Sequence, residues 1–142
     1  MNWKKLLFAF AGVFVAMLAL RYLIHEVILA SAYGALESEN IWRPREEMFS
    51  LMWVMYIGNL VFAFFFVYIF AKGYEAKGIM EGIRYGLLIA GFFVVIGNLA
   101  QYAIYPVPFS FTIYWLVFGF IEMVIYGIIA ALIYKPLAKP AQ

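Results

Sequence analysis

Four apolar runs, at about residues 5–30, 48–71, 82–105 and 110–134, occupy most of this 142-residue chain. Each reaches or exceeds the ~20 residues a helix needs to cross ~30 Å of hydrocarbon. With 68% hydrophobic residues and 13% charged ones, the chain departs from soluble domains, in which roughly a quarter of residues are charged. The expected fold is all-α, one integral membrane domain of four helices joined up-down-up-down. No stretch remains for a soluble domain.

The first run follows Lys4 and Lys5 and ends near Ala30-Ser31-Ala32, which gives it a surface likeness to a secretory leader. It is too long for one and contains Arg21, His25 and Glu26, so it is read as a retained first helix. Basic residues flanking the runs set the orientation. Lys4, Lys5, Lys72, Lys77, Arg84, Lys135 and Lys139 fall on one side, against Arg43 and Arg45 on the other. Both termini are therefore expected in the cytoplasm, with the loop 31–47 and the turn 106–108 facing outward. The net charge of +2 reflects this topology and gives no support for nucleic-acid binding.

Between runs, Trp42-Arg43-Pro44 followed by Glu46 and Glu47 reads as a helix start, with acidic residues opposing the positive helix end. Trp42 is expected to act as an interfacial anchor. Tyr105-Pro106-Val107-Pro108 predicts a tight connection after which Ser110 caps the fourth helix. Ile-Gly-Asn-Leu occurs at both 57–60 and 96–99, but four residues are too few to define a repeat in so biased a composition.

At about 100° per residue, Ala9, Gly12, Ala16 and Ala19 share a face of the first helix. Gly82, Gly86, Ala90 and Gly97 do so in the third and lead to Gln101. Small residues let helices approach closely in lipid, which predicts that these stripes face inward. In the fourth helix Thr112, Trp115, Gly119, Glu122, Tyr126 and Ala130 share a face.

Glu122 is the only charged residue between Arg84 and Lys135. A charge at the bilayer centre costs on the order of 3 kcal/mol or more, so Glu122 is expected to point into the bundle, either in a structural hydrogen bond or in proton or ligand binding. Asn59, Asn98, Gln101 and Tyr126 are the other candidates for a polar pocket or for helix-joining hydrogen bonds. Arg21, His25 and Glu26 fall near the outer boundary. Glu26 extends the small-residue stripe; Arg21 and His25 turn nearly opposite to it, to snorkel to headgroups or to meet a partner subunit.

Much chemistry is excluded. The absence of cysteine removes disulfides, thiolate ligands and a cysteine nucleophile. One histidine provides neither paired haem ligation nor a His-Glu-x-x-His zinc motif, and no Glu-x-x-His pair is present. No metal or other cofactor is expected.

The segment from Lys72 to Gly86, KGYEAKGIMEGIRYG, resembles sequences of small four-helix bacterial inner-membrane proteins. The resemblance implies the topology and a bacterial inner membrane, and brings no activity or site residue with it. The function expected is that of a non-enzymatic accessory subunit or binding component, with the bilayer and either a protein partner or a second copy as its contacts. The alternatives are a small-solute or proton-linked transporter using Glu122, and an intramembrane lipid enzyme with His25 as base.

Overall fold

Asn2 begins the first helix by accepting a hydrogen bond from the Lys5 backbone N–H on its Oδ1, at 3.1 Å. That helix, α1, runs Trp3–Ile28. In the computed structural model, which describes residues 1–36 and 41–135, four further helices follow. They are a short α2 (Ala30–Leu36), α3 (Arg45–Lys72), α4 (Ile79–Ile104) and α5 (Phe109–Ile133). The described residues are all-helical apart from their connections, and α1, α3, α4 and α5 are each long and apolar enough to cross a membrane. Lys139 and part of the loop 31–47 lie outside the described residues.

The ends of these helices follow local chemistry. Pro44 precedes α3, whose first turn carries Glu46 and Glu47, as the sequence predicts. Pro108 directly precedes α5, so its cap is proline and not Ser110, which lies inside the first turn. Between α3 and α4, Ala76 (φ 64°) and Gly78 (φ 68°) turn the chain sharply. The buried Glu81 carboxylate holds that turn by accepting from the backbone N–H groups of Glu75 (2.6 Å) and Lys77 (2.8 Å).

Two helices contain a widened, π-helical stretch: Tyr22–Ile28 in α1 and Ala90–Val95 in α4. Such a stretch places an extra residue in the helix and rotates the residues beyond it by about 100° relative to a regular α-helix.

Packing is closest between α4 and α5. A Cβ added at Gly82 would lie 2.7 Å from the Gly127 carbonyl carbon, and one at Gly86 would lie 2.7 Å from the Val124 Cα. Backbones meet directly there, because glycine stands on both sides of the contact. Farther along, Val94 lies against Gly119. Helix α1 packs on α5 through Gly12 against Ile133 and Ile129, and on α3 through Phe10 against Phe64, with ring centroids 6.1 Å apart. Tyr85 of α4 donates to the Phe66 carbonyl of α3 at 2.6 Å. The main core holds Leu6, Val13, Met17, Phe66, Val67, Phe70, Met123 and Tyr126.

One end of the molecule gathers basic residues. The Asn2 backbone N–H donates to the Tyr134 hydroxyl at 3.1 Å, Lys5 bonds the Lys135 carbonyl, and the Lys72 ammonium lies over the Tyr68 ring. At the other end, Tyr33 of α2, Trp42, Phe111 and Trp115 pack edge to face around Leu36 and Val107. Trp42 is half-buried in this cluster, which ties the connection before α3 to α5.

Candidate functional site

The buried series on α1 is Leu6, Ala9, Val13 and Met17, at spacings of three and four, and Arg21 is its next member. The small-residue stripe lies at the edge of this face. Ala9 is buried, Gly12 and Ala16 are half-buried, and Ala19 is exposed. Side chains on a helix lean toward its N-terminus, so the long Arg21 side chain reaches back along α1 toward the middle of the bundle. Its Nη1 donates to Asn59 Oδ1 of α3 at 2.7 Å. This corrects the expectation that Arg21 turns away from the interior and snorkels.

Asn59 is 8% exposed and Glu122 6%. Among the described residues the guanidinium forms no ion pair with Glu122. Glu122 Oε1, the Tyr126 hydroxyl and the Thr112 hydroxyl are buried without a hydrogen-bond partner. All three belong to one face of α5. That face, read from the sequence as Thr112, Trp115, Gly119, Glu122, Tyr126 and Ala130, is the inward one: Thr112, Glu122, Tyr126 and Ala130 are buried and the other two half-buried.

The other predicted pocket residues do not join them. Asn98 donates through Nδ2 to the Val94 carbonyl of its own helix at 2.8 Å, satisfying an acceptor within the widened stretch. Gln101 is exposed, and Gly97 has open space where its Cβ would stand. Both come after the stretch Ala90–Val95, whose extra residue rotates them off the face held by Gly82, Gly86 and Ala90. The two Ile-Gly-Asn-Leu tetrapeptides thus put their asparagines in different settings.

His25 and Glu26 separate in the same way. Glu26 is exposed and does not extend an interior stripe. His25 instead meets α2: its Nδ1 lies 2.8 Å from the Tyr33 hydroxyl, and Trp115 Nε1 donates to that same oxygen at 2.7 Å. With Trp115 as an obligate donor, the tyrosine proton is free to reach His25, which then carries its own proton on Nε2. Burial pushes the Tyr33 phenol up, beyond what the Trp115 hydrogen bond offsets. The result is a structural clasp between α1, α2 and α5.

Among the described residues no three His, Asp or Glu side chains converge as metal ligands. Two hollows open near the basic end, one of about 430 Å³ bordered by Asn2, Tyr74 and Tyr134, the other beside Glu75, Lys77 and Arg84. Neither includes Glu122. The polar core of Arg21, Asn59, Glu122 and Tyr126 is therefore the candidate site, assembled from three helices. No family model, curated protein or solved structure matches the chain.

Proposed function

We propose that the chain is a bacterial inner-membrane protein whose four long helices thread the bilayer up-down-up-down with both termini in the cytoplasm, and that it acts without catalysis as an accessory or binding component of a membrane assembly. The gathering of Lys5, Lys72, Lys77, Arg84 and Lys135 toward one end supports the orientation, since basic residues collect on the cytoplasmic side. The resemblance of residues 72–86 supports the bacterial membrane.

The binding role rests on α3. From Glu46 to Gly58 its residues are exposed except for the half-buried Met52, and consecutive exposed residues cover every face of a helix. Trp53 is 61% exposed and Met55 60%, while the second half of the same helix is packed in the core. Helices associate in lipid through packing, and Met48, Met52 and Met55 offer adaptable contacts to a partner helix. Native mass spectrometry in mild detergent, with a photo-crosslinker at Val54, is expected to trap a partner or a second copy. A monomer under all gentle conditions, with no crosslink from Val54, argues against the proposal.

A second reading, small-solute or proton-linked transport, draws support from the buried, unpartnered Glu122 Oε1. In proteoliposomes, flux that is unchanged by Glu122→Gln would remove it.

A further inference from the structure

We propose that Glu122 takes up and releases a proton, and that its state decides whether Arg21 is held by Asn59 or by Glu122. The geometry supplies both holders. Arg21 Nη1 is on Asn59 Oδ1 at 2.7 Å, and the buried Glu122 carboxyl keeps an Oε1 without a hydrogen-bond partner. While Glu122 is the neutral acid it is the weaker acceptor, and Arg21 stays on the amide oxygen. When the proton leaves for bulk water, the carboxylate becomes the stronger acceptor, and a charge-assisted pair replaces the bond to the amide. No covalent bond other than O–H changes.

The groups around Glu122 make the exchange selective. Helix α1 presents Arg21, α5 itself presents Tyr126, and α3 presents the uncharged Asn59. The titratable side chains of α4 are engaged elsewhere: Glu81 on its turn, Arg84 on Glu75, Tyr85 on the Phe66 carbonyl and Tyr102 against Phe109.

The mechanical consequence lies in α3. From Glu46 onward Asn59 is the first buried residue of α3, placed where the free half of the helix leaves the core. Releasing Asn59 removes the α1 hydrogen bond at the root of that half and lets it change its angle to α1. The exchange shares with transport only the placement of the proton on Glu122, and it stands or falls without any flux.

The test uses the full chain in lipid nanodiscs, with spin labels on Leu23→Cys and Val54→Cys in a protein that has no other cysteine. Infrared difference spectra across a pH titration report the carboxylic-acid C=O band, and electron-electron resonance reports the distance between labels. In the otherwise unchanged protein, loss of the band and a shift in distance are expected to coincide. Glu122→Gln should lose both, keeping the acidic-side distance at every pH. Asn59→Leu should keep the band and lose the shift. A shift that persists in Glu122→Gln, a band without a shift in the unchanged protein, or no band at all overturns the proposal.

Discussion

Replacing Arg21 with methionine takes a guanidinium from a carboxamide oxygen 2.7 Å away and leaves that oxygen, on a residue 8% exposed, without its donor. Hydrogen bonds to charged groups contribute about 1.5–3 kcal/mol in water-soluble proteins, and measured couplings between membrane helices are smaller. A double-mutant cycle of Arg21→Met and Asn59→Leu, followed by unfolding in mild detergent, is therefore expected to return a coupling of about 1–2 kcal/mol. A coupling near zero would mean that the two side chains do not hold each other. At the basic end, Lys77 (2.6 Å) and then Arg84 (3.4 Å) hold the Glu75 carboxyl below the usual carboxylate range. A lowered folded pKa means that this contribution is present above the unfolded value, near pH 4, and is lost as pH falls through the folded one. Glu75→Gln should accordingly flatten the acid limb of the stability–pH curve, slightly, because the pair is exposed to solvent. The sequence placed Glu122 on the right face because α5 is regular throughout and one helical period describes it. Arg21 was not legible, because the inward face of α1 is marked by Leu6, Val13 and Met17 and not by its small residues, and because a six-bond side chain carries its charge well away from its own Cα.

At the scale of elements, glycine positions that look alike in sequence are expected to behave differently. Gly82→Ala would press a methyl group into the α5 backbone at Gly127, and neither backbone can yield without parting the helices. A loss of about 1–3 kcal/mol is expected in detergent unfolding, as for other overpacked contacts. Gly97→Ala meets nothing within 4 Å, so the same assay should find it neutral or slightly stabilising through helix propensity. Equal effects at the two sites would contradict the packing of α4 on α5. The existence and limits of the four long helices were legible, to within about three residues at most ends, because apolar runs bounded by proline, glycine and lysine leave little choice. The short α2 was not, since Ala30–Leu36 has neither a strong period nor a cap, and is held by the packing of Tyr33 and Leu36 against Trp42 and Phe111. Nor were the widened stretches legible. Nothing in Ala90–Val95 announces an extra residue per turn, and assuming 100° throughout carries Gly97 and Gln101 onto the wrong side.

For the whole molecule, the proposed orientation makes a direct prediction. A single cysteine introduced at Ser31 should react with a membrane-impermeant maleimide in intact spheroplasts, whereas one at Lys77 should react only after the membrane is permeabilised. The opposite pattern would invert the topology. The number and lengths of the long helices were the most legible in sequence, because segment-wide hydropathy averages over local error. The polar core lay beyond it, because it joins side chains of α1, α3 and α5 whose meeting depends on how the helices cross. The widened stretch in α4 has one more consequence, for inheritance. A residue lost or gained among Ala90–Val95 can be absorbed as a change of winding while Gly82 and Gly86 stay against α5. The same event between Gly82 and Gly86 would leave no such slack. Insertion or deletion of one residue is therefore expected to be tolerated better within Ala90–Val95 than between Gly82 and Gly86, as detergent unfolding of the two variants would report.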